Sequence, residues 1–195
     1  MTASRDHGRP LAYVFWHWKQ ATVETADYES RQRAFHSALA SEPSEGFVAS
    51  FSVALFNVPW AGDGGDAYED WYLVRDWGAL DKLNDAAVSA GRALPHDAAA
   101  AAVDDGAGGL YRLQQGTPDR RPRYAHWFGK PAGMRYPELF RLLTPLVESA
   151  GGVLWMRQLV LGPAREFCLH ARAPVSLPAP LSPLVIRLRP AWREP

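Results

Sequence analysis

The sequence contains a single cysteine, Cys168, and carries no net charge. One cysteine excludes both an intramolecular disulfide framework and a metal site built from clustered cysteines. The 21 lysine and arginine residues are balanced by 21 aspartate and glutamate residues. The basic excess typical of proteins that bind nucleic acids or anionic membranes is therefore absent, and we expect neither among the partners.

Long apolar runs are missing as well. No stretch of the sequence approaches the roughly 18 uninterrupted apolar residues that a membrane-spanning helix needs. Residues 1–10 are polar and show no apolar core of a signal peptide, which favours a cytoplasmic protein. The histidine and acidic residues have no spacing typical of a metal site, so we expect no metal and no cofactor.

Aromatic side chains are abundant. The 195 residues include eight tryptophans, each of which brings a large apolar ring and an N–H group that needs a partner. These tryptophans favour a well-packed core or an aromatic-lined pocket. The length allows one large domain or two small ones.

Alternation and helical spacing predict the order β-α-β-β-α-β in residues 11–115. The predicted strands are 11–19, 47–58, 68–77 and 110–114, and the predicted helices are 25–40 and 79–93, with a further helical piece at 95–103. Residues 61–66 are rich in glycine and aspartate and predict a hairpin turn. This order is that of a ferredoxin-like unit.

Residues 123–190 repeat this pattern after a polar, turn-rich linker at 116–122. The segment 124–130 matches 13–19 in register, with Tyr, Trp and Lys at the same three positions. A helix at 136–149, kinked or broken at Pro145, a hairpin within 152–171 and a strand at 184–189 follow. Four prolines between 174 and 183 forbid a regular second helix. The predicted fold class is α+β, with two fused ferredoxin-like units of which the second lacks its second helix.

Each strand presents two faces, because side chains alternate across it. We expect the apolar faces, such as those of Trp16, Trp71 and Trp127, to pack under the helices. The polar faces would then meet between the two sheets and line a cavity. They carry His17, Lys19, Asp70, Tyr72, Arg112, His126, Lys130, Glu166, His170, Arg187 and Arg189. Alternatively, these groups pair with one another as the polar filling of a sheet interface.

This arrangement resembles the dimeric α+β barrel superfamily, which includes antibiotic-biosynthesis-type monooxygenases, EthD-like proteins, chlorite dismutases and dye-decolourising peroxidases. The resemblance rests on element order and duplication and implies a barrel formed within one chain. It implies a small-molecule ligand and either a monomer or a homodimer.

Three functional interpretations stay open. The first is a cofactor-independent monooxygenase or isomerase that acts on an apolar or aromatic compound in the cavity between the units. In it, His17 or His126 is the base, Arg112 or Arg187 stabilises an anionic oxygen, and the remaining ligand contacts come from Lys19, Asp70, Tyr72, Lys130, Glu166 and His170. The second is a non-catalytic ligand-binding or interaction protein. The third is a haem-binding protein, because relatives of this fold hold haem through a histidine.

A further histidine, His96, precedes Asp97 at the start of a predicted helix. Asp97 can cap this helix, which leaves His96 on the polar surface. The pair can also act as an acid or base near the mouth of the barrel.

Overall fold

The computed structural model describes residues 8–56, 58–60, 67–159 and 162–193. The turn predicted at 61–66 lies outside these ranges. The strands are β1 Leu11–Lys19, β2 Phe47–Leu55, β3 Ala67–Val74, β4 Val103–Gln115, β5 Tyr124–Phe128, β6 Val153–Leu159, β7 Phe167–Ala171 and β8 Leu184–Arg193. The α-helices are α1 Thr25–Ser41, α2 Trp77–Ala87, α3 Ala93–Ala100 and α4 Tyr136–Ser149.

The strands form one closed barrel in the order β1-β3-β2-β8-β5-β7-β6-β4. Within each half the order is that of a ferredoxin-like sheet, β4-β1-β3-β2 in the first and β8-β5-β7-β6 in the second. The halves are joined by antiparallel pairing of β2 with β8 and of β4 with β6. The predicted fold class is thus confirmed. Between β7 and β8 the described chain has only a short 3-10 turn at Ala179–Leu181, as the prolines predict.

Several predicted strand boundaries were wrong: β2 ends at Leu55 rather than at residue 58, and β8 extends to Arg193 rather than to residue 189. β3 ends at Val74, because the Asp76 side chain accepts a hydrogen bond from Ala79 N at 2.9 Å and so caps α2 from Trp77 onwards. β4 begins at Val103 and includes glycines that were predicted to form a turn. Pro145 lies inside α4 without ending it.

The glycines of β4 make room for aromatic rings of the neighbouring strand β1. A Cβ atom on Gly106 would lie 2.6 Å from the ring of Phe15, and one on Gly108 would lie 2.6 Å from the hydroxyl of Tyr13. These strands pair directly, so larger residues would push the rings away. The glycine-rich segment is therefore part of the sheet because it packs under aromatic side chains.

The predicted directions of the strand faces were wrong for most strands. The apolar face fills the barrel interior, where Trp16, Trp71, Trp127 and Trp155 are almost completely buried. The predicted direction is correct for β7, whose residues Phe167 and Leu169 pack with α4. A narrow closed barrel needs large side chains to fill its interior, which explains why the tryptophans point inwards.

One carboxyl group lies among these tryptophans. Glu69 is fully buried and accepts hydrogen bonds from Trp16 Nε1 at 3.0 Å and Trp71 Nε1 at 3.1 Å. Burial raises the pKa of Glu69 to about 7, although the indole N–H groups act in the opposite direction. The barrel core is thus apolar except for a few buried groups whose neutral forms are favoured.

Candidate functional site

A pocket of about 640 Å³ lies outside the barrel, between the first sheet and its helices. Helices α1, α2 and α3 cover the outer face of β1 and β3 and leave this space between them. Its walls are mostly apolar or aromatic, with a few polar groups. They are Tyr13, Phe15, Gln32, Phe35, Leu39, Asp70, Tyr72, Trp77, Leu80, Asp81, Leu83, Asn84, Ala87, Val88, His96, Ala99, Ala100 and Val103. This composition is typical of small-molecule sites.

Asp70 provides a buried carboxylate in the sheet wall of this pocket. Its Oδ2 atom accepts a hydrogen bond from the Tyr72 hydroxyl at 3.1 Å. The Nε2 atoms of His17 and His36 lie 3.2 and 3.3 Å from the same oxygen. The other oxygen, Oδ1, is buried and has no hydrogen-bond partner among the described residues. Oδ2 of Asp70 therefore has three polar neighbours among the described residues, whereas Oδ1 has no hydrogen-bond partner among them.

Each of the two histidines is also held through its second nitrogen. His17 Nδ1 is hydrogen-bonded with the Tyr28 hydroxyl, and His36 Nδ1 lies 2.8 Å from Ser50 Oγ. Tyr28 and His36 are eight residues apart and lie on the same face of α1, so this helix brings both to the sheet. Tyr28 on α1 and Ser50 on β2 therefore fix the orientation of the two histidine rings beside Asp70.

The histidines keep Asp70 ionised. Burial alone would raise the pKa of Asp70, but His17 and His36 outweigh this effect and hold the pKa below its ordinary value. Burial and the Asp70 carboxylate raise the pKa values of Tyr28 and Tyr72, so both hydroxyls stay protonated. The pocket wall therefore contains one fixed negative charge with compensating donors behind it.

His96 on α3 contributes a second polar group to the pocket. Its Nδ1 atom lies 3.0 Å from Asp97 Oδ1, and its ring packs edge-on against Phe35 with the centroids 5.3 Å apart. The side chain is 32% exposed. A carboxylate that accepts from Nδ1 leaves Nε2 as the nitrogen able to take up a proton. His96 and Asp97 were predicted at a helix start near the mouth of the barrel; instead both lie inside α3, where Asp97 does not cap the helix, and His96 lines the pocket outside the barrel.

The structure brings three of the predicted site residues together. Asp70 and Tyr72 line the pocket, and His17 contacts Asp70 from behind. These three residues lie in the layer between the first sheet and its helices, and not in the predicted cavity between the two sheets. That space is occupied by the tryptophan-rich core. The predicted shared cavity was therefore wrong.

His126 lies far from this pocket, on the outer face of the second sheet. Its Nε2 atom accepts a hydrogen bond from Val175 N at 3.0 Å, and its Nδ1 atom lies 3.1 Å from Leu169 O. Burial lowers the pKa of His126. Both ring nitrogens are bonded to the backbone, so this histidine ties the proline-rich segment to the sheet and has no nitrogen left for a ligand.

The other predicted site residues are dispersed. Lys130 donates to Met134 O at 2.8 Å, and Glu166 accepts from the Tyr136 hydroxyl at 2.6 Å. His170 lies in the barrel core beside Trp71, and burial lowers its pKa to about 3. The remaining four lie at the end of β1 or on outer faces: Lys19, Arg112, Arg187 and Arg189. The ligand roles proposed for these residues stay predictions.

The contribution of α1 to the pocket was not predicted from the sequence. Gln32 and His36 are buried on the face of this helix that covers β3. With Tyr28 they form a polar row at intervals of four residues. Buried polar residues at this spacing need polar partners on the sheet that the helix covers. This spacing is the sequence feature from which the contribution of α1 could have been predicted.

The described residues contain no group of three or more histidine, cysteine or acidic side chains able to hold a metal ion. None of their helices is long and apolar enough to cross a membrane.

Comparisons with known proteins identify the fold. No protein-family model matches the chain, and no curated protein is significantly similar to it in sequence. A protein of Fusobacterium nucleatum, provisionally assigned as a monooxygenase, is similar in structure with a TM-score of 0.66 and 11% identity, over 96% of this chain and 94% of that one. A second provisional monooxygenase, from Lactobacillus acidophilus, gives a TM-score of 0.60 and 8% identity, over 95% of each chain. The chain therefore has the dimeric α+β barrel fold, with both units in one polypeptide.

Proposed function

We propose that the protein binds an aromatic compound carrying a hydroxyl group in the helix–sheet pocket and oxidises it with dioxygen without a cofactor. The observation that carries this proposal is the ionised, buried Asp70 with one unpartnered oxygen in an aromatic pocket. The volume of about 640 Å³ lies within the range of sites for small organic molecules.

Asp70 positions the substrate in this account. A buried oxygen without a hydrogen-bond partner costs about 1–3 kcal/mol, and a ligand hydroxyl that donates to Oδ1 removes this penalty. The rings of Tyr13 and Phe35 offer apolar surfaces for the rest of the molecule. An aromatic alcohol therefore satisfies both the polar and the apolar parts of the pocket.

His96 takes up the proton that makes the substrate reactive. Removal of a proton from a hydroxyl-activated ring gives an electron-rich anion, which can pass electrons to dioxygen. When the hydroxyl-bearing ring is oxidised to a quinone, the hydroxyl carbon and one ring C–H carbon both become carbonyls, and the substrate supplies four electrons to dioxygen. One oxygen atom enters the product, and the other leaves as water. Asp97 orients the imidazole during this transfer.

The similar structures agree with this activity but do not carry the proposal. The Fusobacterium protein is provisionally assigned as a monooxygenase, and at 11% identity the likeness concerns the fold. The arrangement of Asp70, His17, His36 and His96 is the evidence from this chain.

The proposal is tested by measuring oxygen consumption with hydroxynaphthalenes and hydroxyanthracenes, together with their binding. We expect the Asp70→Asn variant to bind these compounds about tenfold or more weakly, because a charge-assisted hydrogen bond is lost. The His96→Gln variant should bind normally and turn over about 100-fold more slowly, because it lacks the base.

Exposed Glu148→Gln on α4 serves as the control and should leave both binding and turnover unchanged. Binding without oxygen consumption by the wild type would support the alternative, a non-catalytic ligand-binding protein. Normal turnover by His96→Gln would exclude the assigned base.

A further inference from the structure

We infer that the ligand of the helix–sheet pocket also carries an anionic group, such as a carboxylate or sulfonate, which binds Arg112 in an adjoining groove. This inference rests on the proposed function, because it extends the ligand from the pocket described above. It assigns the substrate to the aromatic acids.

The groove lies where the two ferredoxin-like units join. It has a volume of about 600 Å³, and its floor is formed by Leu11 of β1, Arg112 and Gln114 of β4, and Met156 and Gln158 of β6. Leu11 pairs with Arg112, and Arg112 pairs with Met156, so these three residues form one row across three adjacent strands. The groove exists because β4 and β6 pair across the seam between the units.

The groove has an unbalanced positive charge. The Arg75 guanidinium on its wall is paired with Asp76 at 2.9 Å. Arg112 has neither a carboxylate nor a hydrogen-bond partner in the described part of the chain, and Arg9 donates only to the neutral Gln114 at 3.0 Å. The half-buried Arg112 thus offers a guanidinium to an incoming anion, and guanidinium groups bind oxyanions through paired hydrogen bonds.

The groove and the pocket are neighbours along β1. Leu11 in the groove and Tyr13 in the pocket are on the same outer face, about 7 Å apart along the strand. Trp77, at the start of α2, lines both spaces and is 44% exposed. One molecule can therefore place its rings against Tyr13 and its anionic group beside Arg112, with Trp77 packed over the junction.

The inference is tested with two fluorescent probes that share one ring system. They are 8-anilinonaphthalene-1-sulfonate, which carries a sulfonate, and N-phenyl-1-naphthylamine, which does not. Dissociation constants are measured by titration of the wild type and of the Arg112→Gln variant. We expect Arg112→Gln to weaken binding of the sulfonate about tenfold and to leave binding of the neutral probe unchanged.

The control is Arg141→Gln, which removes the same charge from an exposed site on α4. This variant should leave the dissociation constants of both probes unchanged. Asn84→Trp, at the exposed edge of the pocket, should weaken the binding of both probes. This result would show that their rings occupy the pocket.

The outcomes separate the two claims. Equal binding of the sulfonate by the wild type and Arg112→Gln, with the neutral probe bound, would overturn the anion site and leave the pocket standing. Failure of both probes to bind the wild type would overturn the pocket and the anion site together.

Discussion

Glu69 and Asp70 are adjacent in β3, and their carboxyl groups are shifted in opposite directions. Glu69 points into the barrel, where burial among tryptophans raises its pKa to about 7. Asp70 points towards α1; burial would raise its pKa as well, but two histidines hold it below the ordinary value. The difference follows from the neighbours on each face of one strand.

We predict that Glu69 makes the stability of the protein decrease as the pH rises. Its pKa is raised in the folded state, so the folded protein keeps a proton that the unfolded chain releases between pH 4.5 and about pH 7. This stabilisation is complete below the unfolded pKa and is lost as the pH rises through the folded pKa. Over this window the wild type should lose about 3 kcal/mol of unfolding free energy relative to Glu69→Gln.

Urea unfolding of both proteins at several pH values measures this difference. Glutamine keeps an acceptor for the two indole N–H groups, so the variant should fold. Glu148→Gln on the exposed surface of α4 is the matched control and should follow the wild type. A constant difference between wild type and Glu69→Gln across the window would contradict the assigned pKa.

At the scale of secondary structure, β1 and α4 could be predicted to the residue, whereas β4 could not. The alternation of β1 and the apolar stripe of α4 are local properties of the sequence. The strand character of residues 106–109 depends instead on rings of β1 that lie against them. Sequence spacing does not reveal such packing between neighbouring strands.

The same packing makes a prediction about Gly109. A Cβ atom there would lie 2.9 Å from the ring of Trp16 and 3.2 Å from that of Tyr111, both of which are locked in the barrel core. We expect Gly109→Ala to lower the free energy of unfolding by about 1–3 kcal/mol, because the core cannot move aside freely.

Gly129→Ala provides the comparison, because a Cβ atom at Gly129 meets nothing within 4 Å. Its effect should stay below about 0.5 kcal/mol. Equal unfolding midpoints for the two variants in urea would show that β4 tolerates a side chain at Gly109 and would refute the packing argument.

At the scale of the whole molecule, the sequence predicted the closed pair of units but not the location of the site. Alternation divides a strand into two faces without showing which face points inwards. The direction is decided by the barrel, which needs the tryptophans to fill it, and by α1, which supplies His36 and Gln32 to the polar face of β3. Asp70, Tyr72 and His17 were therefore grouped correctly and assigned to the wrong side of the sheet.

The two units consequently differ in what they offer to a ligand. The first is covered by three helices that leave a pocket. The second is covered by α4 and by a proline-rich segment that His126 holds against the sheet. The proposed ligand site therefore lies in the first unit, and its proposed extension to Arg112 lies at the seam with the second.

A crystal structure of the protein with 1-hydroxynaphthalene bound is the most direct test of this assignment. We predict that the rings lie between the first sheet and helices α1–α3, with the hydroxyl at hydrogen-bond distance from Asp70 Oδ1. Occupancy of the barrel core or of the second unit, or a hydroxyl turned away from Asp70, would contradict it.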